Sequence, residues 1–114
     1  MSDCLFCKMV AGEITPEVVY ETDLVLAFRD INPRAPTHIL LIPKKHIPTL
    51  ADMTDEDTQL MGELMQAAKT VAEKEDLADS GYRTVFNCKQ DAGQEVYHIH
   101  MHLLGGRRLQ WPPG

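Results

Sequence analysis

The 114-residue sequence predicts an α+β fold, in which a five-stranded antiparallel sheet carries one long helix on one face. Two observations predict this class. Five short segments have the β-branched, aromatic and alternating apolar residues typical of strands. One longer segment instead repeats its apolar residues at helical spacing. Most connections between these segments are short, which favours an antiparallel sheet.

A short N-terminal helix and five strands follow from local patterns along the chain. CLFCKMVAGE predicts a short helix that ends at Gly12. EVVYET and LVLAFRD predict two strands joined by a turn near Thr22–Asp23. The apolar run HILLIP predicts a central strand, closed by Pro43. YRTVFN and VYHIHMHLL predict the last two strands, with the polar loop CKQDAGQ between them.

The long helix has the clearest start signal. Thr54 can cap its N-terminus, and three acidic residues then favour the positive end of the helix dipole. The helix is expected to run to about Glu75. Its apolar stripe is typical of a core-facing surface, and its members are Leu60, Met61, Leu64, Met65, Ala68, Val71 and Ala72.

Composition limits the protein class to one soluble domain, residues 1–114. Apolar residues make up 44% and charged residues 25% of the chain. The net charge of −6 argues against a general nucleic-acid or anionic-membrane surface. Three cysteines and no secretory signal indicate a reducing cytoplasm. No apolar run approaches the roughly 20 residues needed to cross a bilayer.

The segment EVYHIHMHLLGGR places three histidines at every second position. On a strand, His98, His100 and His102 would share one face, about 6.6 Å apart. The alternate residues, Ile99, Met101 and Leu103, would pack under the long helix. The histidine face is then open to a ligand. A solvated strand face, a metal platform and a neutral imidazole that attacks an electrophile are the three interpretations of this pattern.

The segment HIHMHLL resembles the signature of the histidine triad (HIT) family, His-φ-His-φ-His-φ-φ, at every position. VYET, AFRDINPRAPTHILLIPKKHI, GQEVYHIHMHLLGGR and the terminal WPPG resemble the Hint branch, the nucleoside phosphoramidases. The resemblance extends from about Leu5 to Gly114. It implies a HIT-like homodimer with a continuous ten-stranded sheet, in which the tail that carries Trp111 crosses to line the partner's pocket.

The resemblance also implies a chemistry centred on His100. This residue would attack the α-phosphorus of a purine nucleotide, and water would then release the nucleoside monophosphate from a nucleotidyl-histidine intermediate. A backbone carbonyl near His98 would fix the tautomer of His100, and His102 would contact the phosphate or the leaving group. Dinucleoside polyphosphate hydrolysis and a non-catalytic zinc- or nucleotide-binding adaptor are the alternative functions.

Further residues are expected to build the nucleotide pocket by the same resemblance. His38 would support the phosphate, although a strand-end surface histidine is the simpler interpretation of its position. Asn87, Gly93, Gln94 and Val96 would supply donors or close backbone approach. Phe28 and Ile31 would contact the base, and Asp30 the ribose hydroxyls. Glu95 stands where Hint enzymes often carry serine, and we expect it to favour cationic leaving amines.

Cys4 and Cys7 form a Cys-x-x-Cys pair, which supplies two of the four ligands that a structural zinc needs. Some members of the family supply the other two from positions that match His46 and His98. The alternative leaves both cysteines reduced and gives His98 only an orienting role. The chemistry itself needs no cofactor, and Cys88 is interpreted as an exposed thiol near the pocket.

Overall fold

The structure, a computed structural model, describes residues 3–114 and contains a five-stranded antiparallel sheet in the order β1-β2-β3-β5-β4. The α+β prediction is confirmed. β3 pairs with both β2 and β5, as the apolar run HILLIP predicted. The strands are β1 Val18–Glu21, β2 Val25–Arg29, β3 Thr37–Pro43, β4 Tyr82–Phe86 and β5 Met101–Gly105.

Within residues 3–114, three α-helices accompany the sheet: α1 Leu5–Val10, α2 Thr58–Lys74 and α3 Lys89–Ala92. Thr54 caps a single 3-10 turn, Asp55–Asp57, that precedes α2, so the regular helix begins slightly later than predicted. The Thr54 side chain accepts from the Glu56 N–H, and the Asp57 carboxylate accepts from the Thr54 N–H. α3 lies within CKQDAGQ, which was wrongly predicted to be a loop without helix.

The two faces of the sheet bury different cores. The face towards α2 carries Val25, Ala27, Ile39, Leu41, Met101 and Leu103. Leu64 and Ala68 of α2 pack there as predicted, but Met65 was wrongly placed in the stripe, because it is 50% exposed. The opposite face carries Leu26, Phe28, Leu40 and Ile42, which pack against Phe6 of α1. Burial of this kind stabilises by about 1.5–3 kcal/mol per large apolar side chain.

The last strand is shorter than the predicted VYHIHMHLL. It begins at Met101, so His98 and His100 lie in the segment before it. Pro43 at the end of β3 has no N–H for the ladder, and its carbonyl instead accepts from Nε2 of His98 at 2.8 Å. The expectation that all three histidines lie on an open face is therefore wrong: His98 is fully buried and His100 is 9% exposed.

Within residues 3–114, no helix is both long enough and apolar enough to cross a membrane.

Candidate active site

A polar cavity of about 430 Å³ brings together three histidines from two neighbouring strands and the segment before β5. β3 positions His38, β5 positions His102, and His100 precedes β5. Their side chains lie on the sheet face opposite α2, since His102 pairs with Leu40 in the ladder. Asn87, Gly93 and Glu95, which the family resemblance implies for a nucleotide pocket, line the same cavity.

An apolar cavity of similar volume, about 430 Å³, adjoins the polar one. Four residues line both cavities: Asp30, Glu95, His100 and His102. α1 contributes Leu5, Phe6 and Met9 to the apolar walls, and the rest includes Phe28, Ile31, Leu40 and Val96. The two cavities form a groove with one polar and one apolar half, which suits a ligand that carries both a polar group and a flat apolar group.

His100 is held in one tautomer by the main chain. Its Nδ1 lies 2.9 Å from the carbonyl oxygen of His98. A carbonyl only accepts, so Nδ1 carries the proton and, in the neutral ring, Nε2 keeps its lone pair. The carbonyl partner expected for His100 is thus present. The Phe6 ring packs edge-on against the imidazole, with ring centroids 5.1 Å apart.

His38 and His102 form a directed hydrogen-bond chain. The Arg34 N–H donates to Nδ1 of His38 at 3.0 Å, so the proton of the neutral His38 ring lies on Nε2. That Nε2 lies 2.9 Å from Nδ1 of His102 and 3.3 Å from an Asp30 carboxylate oxygen. His102 accepts through Nδ1, and its own proton is therefore on Nε2.

Burial keeps this histidine pair neutral. Burial, together with the neighbouring His100 and His38, lowers the pKa of His102 to about 4, against the opposing influence of the Asp30 carboxylate. Burial also lowers the pKa of His38, against the opposing influence of the Asp30 carboxylate. At pH 7 both rings are hydrogen-bond relays rather than cations.

Comparison with known proteins identifies the family. Residues 11–109 match the HIT domain. The chain belongs to the HIT family. Over 107 residues it is 51% identical to an Escherichia coli K12 protein named purine nucleoside phosphoramidase, a match covering 94% of this chain and 90% of that protein. It is 52% identical over 112 residues to an uncharacterised HIT-like protein of Synechococcus elongatus, covering 98% and 97%.

Solved structures of HIT proteins share the fold. The chain superimposes on a HIT family hydrolase from Legionella pneumophila Philadelphia 1 with a TM-score of 0.95 and 57% identity, covering 97% of this chain and 99% of that one. A histidine triad protein from Clostridium difficile gives a TM-score of 0.93 at 43% identity, covering 96% of each chain. The family resemblance of HIHMHLL is thereby confirmed.

The remaining predicted pocket residues differ in their surroundings. Phe28 is buried and packs edge-on against Phe6, with centroids 5.6 Å apart, while Ile31 is 91% exposed at the rim. Asp30 accepts from the Asn32 N–H at 2.8 Å as well as lying near His38. Trp111 lies beside Arg83 and is not among the described residues that line either cavity, whereas Pro113 lines the polar cavity of its own chain.

The loop before the histidine segment is held by Gln94. Its side chain donates to the carbonyls of Pro48 and Val96 and accepts from the Lys89 N–H. Its own N–H donates to the Lys89 carbonyl, so the expectation that this N–H serves a phosphate is wrong. Gly93 ends α3 at φ +82°, a left-handed conformation that glycine adopts without strain.

Sequence reasoning missed several residues of the groove. Phe6, Leu5 and Met9 line its apolar half, and Asn32 and Arg34 its polar half. The helix itself was predicted, and the spacing of its apolar residues within LFCKMV was an available signal that one side of it faces the groove. Nothing in INPRAPT indicated that the Arg34 main chain would orient His38.

Four potential metal ligands meet beside the groove: Cys4, Cys7, His46 and His98. Nδ1 of His98 lies 3.2 Å from Nδ1 of His46, 3.4 Å from Sγ of Cys4 and 3.6 Å from Sγ of Cys7. Sγ of Cys7 lies 3.3 Å from His46 Nδ1. A tetrahedral zinc with ordinary bond lengths would separate two nitrogens by about 3.3 Å and nitrogen from sulfur by about 3.6 Å. The cluster therefore fits such an ion.

The hydrogen bond made by Nε2 of His98 leaves its Nδ1 available as a metal ligand. Nε2 donates to the Pro43 carbonyl, so the lone pair of the neutral ring is on Nδ1, which faces the cluster. Burial lowers the pKa of His98, and the neutral form is the one that binds metals.

A second group of possible ligands, Asp30, His38 and His102, lies in the groove itself. Its two imidazole nitrogens are 2.9 Å apart, a hydrogen-bond distance that is shorter than two zinc ligands would adopt. The Arg34 N–H places the His38 proton on Nε2, and a hydrogen bond from this Nε2 to Nδ1 of His102 explains the short distance without an ion.

Proposed function

We propose that this protein hydrolyses purine nucleoside phosphoramidates, of the adenosine 5′-phosphoramidate or lysyl-AMP type, to a nucleoside monophosphate and an amine. The observation that carries the proposal is the state of His100. Its Nδ1–H is engaged by the His98 carbonyl, its Nε2 is unprotonated in the neutral ring, and the ring lines both halves of the groove. The E. coli relative that is named for this activity supports the same choice.

The groove suits the parts of such a substrate. The base packs in the apolar half, against the wall that Phe28 and the α1 residues line. The phosphate lies in the polar half, near His102 and Asn87. The Asp30 carboxylate lies in both halves and has lone pairs left for a ribose hydroxyl.

The reaction runs in two steps. Nε2 of His100 attacks the α-phosphorus, the phosphorus–nitrogen bond breaks, and the amine leaves after its nitrogen takes up a proton from solvent. Water then attacks the phosphorus of the nucleotidyl-histidine and gives up a proton to solvent, the bond to Nε2 breaks, and the nucleoside monophosphate is released. The His102 Nε2–H, oriented by His38, donates to a phosphate oxygen in both steps.

The proposal is tested by turnover of adenosine 5′-phosphoramidate. We expect multiple turnovers by the wild type and a loss of at least about 10³-fold in His100→Ala, because the nucleophile is gone. Lys69→Ala, on the exposed side of α2, is the matched control and should keep full activity. AMP binding by both variants verifies that the groove is intact. Binding without turnover in the wild type would contradict the proposal and favour a nucleotide-binding adaptor.

We infer that the cluster of Cys4, Cys7, His46 and His98 holds a structural zinc. The ligand set is one that zinc prefers, and the interatomic distances match a tetrahedral ion. Reduced cysteines in such a site are consistent with the cytoplasm as the location. Protein purified without chelator should carry close to one zinc per chain by elemental analysis. Less than one per two chains would contradict the inference.

We propose that the protein is a homodimer with a ten-stranded sheet formed along β4. β4 is an edge strand that pairs only with β5 among the described strands, so one side of its backbone is free to accept another strand. The opposite edge, β1, carries a register shift between Val18 and Tyr20, which is typical of protected edges. Sedimentation equilibrium should give twice the chain mass. A monomer mass at micromolar concentration would contradict this assembly.

A further inference from the structure

Helix α1 belongs to both sites of the molecule. Cys4 caps its N-terminus, and Cys7 lies within it, so two of the four ligand positions are on this one segment. Between them lies Phe6, the buried residue of α1, which lines the apolar half of the groove. The chain thus places a residue of the base pocket inside the Cys-x-x-Cys pair.

α1 depends on tertiary contacts for its order. It has six residues, far fewer than an isolated helix needs to be stable in water. Phe6 inserts into the core formed by Leu26, Phe28, Leu40 and Ile42, while Met9 and Val10 are only partly buried against it. The two sulfurs of this segment add a second attachment, because they approach the imidazoles of His46 and His98.

The tautomer of the nucleophile, in contrast, is set by a main-chain group outside α1. His98 is fully buried, and the Pro43 carbonyl accepts from its Nε2 at 2.8 Å. The His98 residue whose carbonyl fixes His100 is therefore anchored by a hydrogen bond to β3, apart from its contacts with the cluster. Among the described residues that line the polar cavity, none belongs to α1.

We propose that metal held by the Cys4–Cys7–His46–His98 cluster sets the affinity of the groove for the nucleoside base, by fixing α1 and with it Phe6. Phe6 is a positioning residue: it packs on Phe28 and on His100, at centroid distances of 5.6 and 5.1 Å, and it shapes the wall that the base contacts. Removal of the metal weakens recognition of the base and leaves the phosphate half unchanged. This inference rests on the proposed function, because it assigns the apolar half of the groove to a base.

Calorimetric titration with two ligands tests the proposal. One ligand is AMP, and the other is ribose 5-phosphate, which has the phosphate and the sugar but lacks the base. Chelation of zinc should weaken AMP binding about tenfold, which corresponds to the loss of one buried aromatic contact, and should change ribose 5-phosphate binding less than about twofold. Equal weakening of both ligands, or of neither, would overturn the proposal.

Two variants keep the test valid if the metal-free protein unfolds. Zinc-loaded Phe6→Ala should bind AMP about as weakly as the chelated wild type, with unchanged ribose 5-phosphate affinity. Lys8→Ala, also on α1 but not among the residues lining the groove, is the control and should bind AMP normally when loaded with zinc. Normal AMP affinity in Phe6→Ala would overturn the proposal.

Steady-state kinetics separates this inference from the proposed function. With adenosine 5′-phosphoramidate, chelation or Phe6→Ala should raise KM about tenfold and leave kcat within about twofold, since His100 remains oriented. A fall in kcat at constant KM would contradict the positioning role. No turnover by the zinc-loaded wild type, with AMP binding intact and zinc-dependent, would defeat the proposed function alone.

Discussion

Two pairs of histidines join the same two regions of the chain, but they differ in what occupies the second nitrogen of each ring. In the pair His46 and His98, the Nδ1 atoms face each other at 3.2 Å beside two sulfurs, and Nε2 of His98 is tied to a carbonyl. In the pair His38 and His102, a donor and an acceptor meet at 2.9 Å because the Arg34 N–H has ordered the protons. The main-chain partner of the far nitrogen therefore decides whether an imidazole pair is a metal site or a proton-ordered relay.

Of the changes that distinguish the two pairs, removal of the metal should have the largest effect on stability. Chelation of zinc should lower the free energy of unfolding by about 4 kcal/mol, the linkage value for a ligand at 1,000 times its Kd. Urea denaturation with and without chelator measures it. Cys88→Ser, which removes the thiol outside the cluster, should leave the zinc-dependent stabilisation unchanged. An identical midpoint in both conditions would mean that the Cys/His cluster is not a metal site.

A fall in pH should have a smaller effect on stability, and this effect arises in the pair His38 and His102. The pKa of His102 is lowered to about 4 in the folded chain, against an ordinary value of 6.5. The unfolded chain therefore binds more protons between these values, and stability should fall as the pH drops through this window. The His102 contribution is about 1–2 kcal/mol, after allowance for solvent at a partly exposed ring.

His102→Asn isolates this contribution. We expect the variant to lose less stability than the wild type between pH 6.5 and pH 4, measured by urea midpoints at matched ionic strength. An identical slope in both proteins would show that His102 is not held neutral by its surroundings, and the relay interpretation would fail.

Substitution of Glu95 should have the smallest effect, which is on the preference between substrates. Glu95 is exposed, lines both halves of the groove, and has no ion-pair partner within residues 3–114. A cationic leaving amine can supply that partner. Glu95→Ser should lower the ratio of kcat/KM for a lysyl phosphoramidate over that for a neutral amine by about threefold, as expected for a solvated charge pair.

Glu63→Ser, on the exposed surface of α2, is the matched control for the loss of one carboxylate and should leave the ratio unchanged. An unchanged ratio in Glu95→Ser itself would remove Glu95 as a determinant of specificity.

Local patterns predicted most of the fold. The apolar run of β3, the alternation of Met101 and Leu103, and the stripe of α2 each follow from one dominant force, burial of apolar surface. Met65 fitted that stripe by spacing and is nevertheless exposed, because Ala67 on the neighbouring row takes the core position. The spacing of apolar residues shows which side of a helix faces the core, but not how many neighbouring rows of residues are buried there.

The candidate site was less accessible to sequence reasoning. The family resemblance correctly gave His100 a carbonyl partner, but the alternation rule placed His98 on an open face with it. His98 is buried because its segment leaves the ladder before Met101 and its imidazole donates to the Pro43 carbonyl, a contact between residues 55 positions apart. The orienting role of Arg34 and the wall formed by Phe6 likewise depend on tertiary contacts that no local pattern encodes.

The central claim is that His100 forms a transient bond to phosphorus. Rapid-quench mass spectrometry of the wild type with adenosine 5′-phosphoramidate tests it most directly. We predict an adenylyl group on the peptide that contains His100, appearing before product accumulates and absent in His100→Ala. Product formation with no modified peptide at any time, or with the group on another residue, would contradict the account.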